Sequence, residues 1–125
     1  MQGLHLTADL RGCRADAAPM TDPAALRALC VAAVARCGLT PVGELFHRFD
    51  SGGGVTGVVL LAESHLAVHT WPELQAVTLD VYVCNFSGDN SARADALLAD
   101  LEAAFAPVAA QRQRVIRGAL NPPAT

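Results

Sequence analysis

The stretch Leu60-Leu61-Ala62-Glu63-Ser64-His65-Leu66-Ala67-Val68-His69-Thr70-Trp71-Pro72-Glu73 decides how this chain is read. It is apolar enough to be buried, yet it carries two carboxylates, two imidazoles and the Ser64 hydroxyl. A buried polar group costs free energy unless it finds a partner. So dense a set exceeds what packing alone would select, and the stretch is taken as the candidate site.

Working outward, Val55 to Ala62 reads as a strand, apolar on both faces at Val58, Val59, Leu60 and Leu61. Val77 to Cys84 is the clearest strand: Val77, Leu79, Val81 and Val83 point one way, and Thr78, Asp80, Tyr82 and Cys84 the other. Pro41 to Phe49 reads as another strand, followed by a flexible turn, Asp50-Ser51-Gly52-Gly53-Gly54. That turn has no following helix and lysine, so it is not a phosphate loop. Leu4 to Leu10 alternates as a first strand, and Arg11 to Met20 is a loop.

Thr21-Asp22-Pro23 supplies a capping side chain and then a proline where its missing N–H does no harm. Leu26, Leu29, Cys30, Ala33, Val34 and Cys37 follow at helical spacing, and Gly38 ends that helix. Beyond the turn-rich Asn85–Asn90, Leu97, Leu98, Leu101 and Phe105 mark a second helix, stopped near Pro107. A last strand runs from Val108 to Arg117, and the proline-rich tail Asn121–Thr125 is expected to be disordered.

The expected class is α+β: one domain over residues 1–120, with an antiparallel-rich sheet and two helices on one face. Two strands apolar on both faces leave the other face to be covered. The expected solution is a homodimer packed sheet on sheet, an αββα sandwich.

Composition narrows the function classes. The net charge of −3 argues against nucleic acid as a partner. No apolar run reaches the roughly 18 residues of a membrane span. The N-terminus lacks the basic-then-apolar pattern of a signal peptide, so a cytoplasmic protein is expected. Cys13, Cys30, Cys37 and Cys84 form no Cys-x-x-Cys pair and read as free thiols.

Three readings compete for the central stretch. One is a buried strand whose polar groups are merely satisfied. A second is a metal site on His65 and His69, four apart, with Cys84 or His47 as a third ligand. Leu66, however, stands where the helical zinc-protease pattern has its glutamate. The third is self-processing. A serine hydroxyl held against the preceding carbonyl can turn the amide into an ester, and a base can then eliminate it. Hydrolysis leaves an N-terminal pyruvoyl group, an electrophile that captures an amine as a Schiff base and acts as an electron sink. Such chemistry otherwise needs a cofactor. His69 has the pKa range of a base, and the Cys84 thiol has an acidic enough proton to deliver afterwards. This reading requires no metal.

Glu63-Ser64-His65, followed by His69-Thr70-Trp71-Pro72-Glu73 and a strand ending at Cys84, closely resembles the small prokaryotic S-adenosylmethionine decarboxylases. The likeness extends to Leu4-His5-Leu6, the first helix, Phe46-His47-Arg48-Phe49 and Gly57-Val58-Val59. It implies a pyruvoyl enzyme of polyamine biosynthesis, with Ser64 as the pyruvoyl precursor and Glu63 as the new C-terminus. The pieces would be 1–63 and 64–125. His69 would act in processing, helped by the hydroxyl of Thr56, where the family usually has serine. Cys84 would be the proton donor in catalysis. Phe49 would stack on adenine, Glu73 would hydrogen-bond the ribose hydroxyls, and Leu66 would line the apolar side. The family's dimer, sheets face to face with helices outside, matches the architecture expected above.

The Asp50–Gly54 turn and Asn85-Phe86-Ser87 depart from the family pattern. Asp50 adds a carboxylate beside the expected substrate. Relatives with the same processing motif act on ornithine or arginine, so these are the alternative substrates. A non-catalytic regulatory homologue is the remote one, and nothing favours it, because Glu63, Ser64, His69 and Cys84 are all intact.

Overall fold

The computed structural model describes residues 2–86 and 88–120; the tail expected at 121–125 lies outside the described residues. The strands are β1 (Gly3–Arg11), β2 (Pro41–Arg48), β3 (Val55–Leu61), β4 (Ser64–Trp71), β5 (Ala76–Cys84) and β6 (Ala109–Arg117). The helices are α1 (Pro23–Arg36) and α2 (Ser91–Phe105). Single 3-10 turns at Ala18–Met20 and Pro72–Leu74 fall inside segments read as loop and strand break.

The six strands form one sheet in the order β2-β3-β4-β5-β1-β6, every neighbour antiparallel. Alternation decides what each face carries. Leu4, Leu6, Ala8 and Leu10 of β1 lie opposite Val83, Val81, Leu79 and Val77 of β5, and all eight are buried. Leu66 and Val68 of β4 continue those rows to Val59 and Gly57 of β3. At Gly57 an added Cβ would lie 2.1 Å from the Phe46 ring, so the β2 aromatic packs flat on a residue that must lack a side chain.

Both helices close this face. Asp22 caps α1 by accepting from the Ala24 N–H at 3.0 Å, and Leu26, Cys30, Ala33 and Val34 are buried beneath it. From α2, Ala94, Leu97, Leu98, Leu101 and Phe105 are buried. Burial pushes the Cys30 thiol up to about 12, so it stays protonated and serves as core filling.

The other face is bare in the single chain, and its make-up differs from expectation. Leu45, Leu60 and Val115 are 71%, 49% and 49% exposed there. Between them lies a polar centre of His5, His65, Asp80 and Tyr82, because on β5 only the helix-facing positions are apolar. Only β3 carries the double-sided apolar pattern.

One buried hydroxyl ties the edge of the sheet to the loop before α1. Thr70 Oγ1 donates to the Met20 carbonyl at 2.7 Å and accepts from the Val55 N–H at 2.8 Å. Thr70→Val keeps the shape but strands both partners. It is expected to lower the unfolding free energy by about 2–4 kcal/mol. The check is a fall in the urea midpoint at unchanged slope.

Candidate active site

The turn between β3 and β4 is two residues long, Ala62-Glu63, because Leu61 already faces Ser64 across the ladder. So tight a hairpin needs positive φ, and Glu63 adopts φ 63. A left-handed conformation costs a non-glycine residue roughly 1–2 kcal/mol. The strained residue directly precedes Ser64. The Ser64 hydroxyl donates to the Ala62 carbonyl at 3.2 Å.

The structure divides the expected site residues into two groups. Glu63, Ser64 and Cys84 share one end of the sheet. Glu63, Tyr82, Cys84 and Phe86 line a cavity of about 360 Å³ there. Strand parity puts Ser64 on the helix side with Leu66 and Val68, and Cys84 on the bare side with Asp80 and Tyr82.

At the other end, Thr56 faces His69 in register, and its Oγ1 lies 3.1 Å from His69 Nδ1. A cavity of about 280 Å³ beside them is lined by Phe49, Ser51, Thr56, His69, Trp71 and Glu73. A Cβ at Gly54 would sit 2.5 Å from the Thr70 carbonyl oxygen, so the glycine turn lies directly on β4 here. From Ser64 to His69 is five residues of extended strand, about 16 Å.

Two of the residues expected to touch substrate line neither cavity of the single chain. Leu66 is fully buried in the core beneath the helices and lines neither cavity. Its even position on β4 turns it inward. Asp50 is exposed on its turn and lines no part of the Phe49–Glu73 cavity; Ser51 takes that place. Ser51 and Trp71 were not singled out from the sequence. Their only signal is adjacency: Trp71 stands two residues before Glu73, and Ser51 two after Phe49.

The His65–His69 metal pairing fails on length, since four residues of strand separate them by about 13 Å. His65 instead meets Asp80 at 3.3 Å, and His5 Nε2 lies 3.7 Å from the same carboxylate. Arg117 donates to His5 Nδ1 at 3.2 Å. A guanidinium has no acceptor, so Nε2 carries the His5 proton and has no lone pair to offer as a ligand.

A model of the S-adenosylmethionine decarboxylase family matches residues 4–118. The chain belongs to that family. The S-adenosylmethionine decarboxylase proenzyme of Symbiobacterium thermophilum is 41% identical over 99 residues, 79% of this chain and 73% of that one. The proenzyme of Aquifex aeolicus is 45% identical over 82 residues, 66% of this chain and 58% of that one. This alignment therefore spans little more than half of the Aquifex protein's length. The crystal structure of the adenosylmethionine decarboxylase from Aquifex aeolicus superposes with a TM-score of 0.85 at 34% identity, covering 98% of this chain and 96% of that one. The decarboxylase fold of six antiparallel strands and two helices is the fold described above. Among the described residues, no helix is long and apolar enough to cross a membrane.

Proposed function

We propose that this chain is a proenzyme of one domain, 1–120, that cuts itself between Glu63 and Ser64 and decarboxylates S-adenosylmethionine. The reading rests on the hairpin turn. A strained residue at φ 63 stands before a serine, at the bond where the family motif puts the break. Strain of this kind persists where surrounding structure over-determines it, commonly at reacting sites.

A pyruvoyl group made from Ser64 fits these surroundings: the precursor hydroxyl lies next to the bond it must attack, and a thiol lies at the same end of the sheet. The group would supply an electron sink at the substrate's α-carbon, which no ordinary side chain offers. This chain's residues do the rest. Cys84 holds a proton at Sγ on the bare face and delivers it to the carbon that has lost carbon dioxide. Glu73 offers two acceptor oxygens to paired ribose hydroxyls. Phe49, 48% exposed in the same cavity, offers a ring face to a flat base. Thr56 fixes the orientation of the His69 imidazole.

The working unit is a homodimer. About 16 Å of strand cannot be crossed by a proton transfer, so Ser64 and His69 of one chain do not serve each other. Two copies packed antiparallel through their bare faces bring the Ser64–Cys84 end of one against the His69–Glu73 end of its partner. Among the described residues the buried His5 Nε2 and Asp80 Oδ1 make no hydrogen bond, and both lie on that face.

Carbon dioxide release with S-adenosylmethionine, ornithine and arginine in parallel tests the substrate. Release from S-adenosylmethionine alone is expected. Preference for either amino acid would reassign the Phe49–Glu73 cavity.

A further inference from the structure

On the helix side of the Ala62-Glu63 turn lies a second cavity, about 310 Å³, lined by Thr40, Ala62, Glu63, Ser64, Asn90 and Arg93 among others. It is held by polar contacts. The Ala62 N–H donates to the Thr40 carbonyl at 3.0 Å. Arg93 NH1 donates to Asn90 Oδ1 at 2.8 Å, and Asn90 Nδ2 donates to the Cys84 carbonyl at 3.1 Å. Asn90 thus links the arginine to the strand that ends at Cys84. Arg14, Arg27, Arg36, Arg112 and Arg114 each pair with a carboxylate. Arg93 makes no ion pair among the described residues. A guanidinium has five N–H donors, and the bond to Asn90 occupies one.

We propose that Arg93 is the positioning residue that receives the carboxylate released at residue 63 when the chain cuts itself. This rests on the self-cleavage reading above. In the first step Ser64 Oγ adds to the Glu63 carbonyl carbon, the C–N bond breaks, and the hydroxyl proton ends on the freed nitrogen. In the second a base removes the Cα proton of residue 64. The Cβ–Oγ bond breaks, and its electron pair leaves with the Glu63 carboxylate. The remaining enamine becomes an imine, takes up water and releases ammonia.

An uncharged amide has then become an anion inside a small cavity, and Arg93 is the cation that shares the cavity with it. A guanidinium meets a carboxylate with two parallel bonds and stabilises it as it departs. Arg93 acts on the elimination rather than on the acyl shift, because the first step ends in a neutral ester and only the second releases a lasting carboxylate. Held on the helix side, the new C-terminus also stays off the Cys84 face, and the new N-terminus is free to turn toward it.

The test follows cleavage of wild type, Arg93→Ala and Arg93→Lys by intact mass, with and without hydroxylamine, which splits esters but not amides. Arg93→Ala is expected to mature about tenfold more slowly or worse, equivalent to ~1.4 kcal/mol on the barrier. A hydroxylamine-sensitive ester should build up, and Arg93→Lys should recover most of the rate. Two results overturn the role: Arg93→Ala maturing as fast as wild type, or a slow variant with no trapped ester and no recovery with lysine. A wild-type chain that stays whole would overturn the self-cleavage reading as well, so the two failures are told apart.

Discussion

Ser64→Ala is expected to remain one uncut polypeptide of 125 residues and to release no carbon dioxide from S-adenosylmethionine. The wild-type chain should run as two fragments, 1–63 and 64–125. The variant loses the attacking oxygen and little else. Its single hydrogen bond, 3.2 Å to the Ala62 carbonyl, lies at an exposed turn, and losing it costs about 1 kcal/mol or less. Fold and dimer therefore survive while chemistry stops. A denaturing gel and intact mass decide the matter. Splitting of the variant at the same bond would mean that another group attacks.

A mixture restores what each single variant lacks. Ser64→Ala has no nucleophile and His69→Ala has no base, so each alone stays whole. Co-expressed, they would form mixed dimers of the proposed kind, in which the end of the sheet with an intact Ser64 lies against the partner end that keeps His69. Cut fragments carrying His69→Ala are expected only from the mixture, together with recovered decarboxylation. If each site were built within one chain, no combination would cleave. The contrast is between absence and presence of a product, so it does not depend on small rate differences. The Thr56–His69 contact is half-exposed and at 3.1 Å, so His69→Ala leaves the fold in place.

Much of the fold was legible because each signal is local. Asp22 before Pro23 reads as a helix start, and that side chain caps α1. Alternation over 77–84 reads as a strand with Val77, Leu79, Val81 and Val83 on one face, and all four are buried.

What the chain does not state is which way a strand residue turns. The family resemblance implies that Leu66 lines the apolar side of a substrate, and side-chain parity turns it into the core of the single chain. The competing metal reading of His65 and His69 rests on a spacing that puts both on one face of a helix or of a strand, and on β4 that spacing is a long reach. Arg93 left no mark in the chain at all. Only the placement of α2 in the fold puts it on the wall of the cavity that Ala62, Glu63 and Ser64 also line.

By itself the sequence determined the order of helices and strand block, the buried face of residues 77–84 and the family. These depend on periodicity and on motif chemistry, which the chain states residue by residue. Tertiary structure alone decided that the contiguous run from Glu63 to Glu73 is not one site. A strand advances about 3.3 Å per residue, so neighbours in the motif are spread along the sheet. They can act together only by meeting residues carried by another element or another copy.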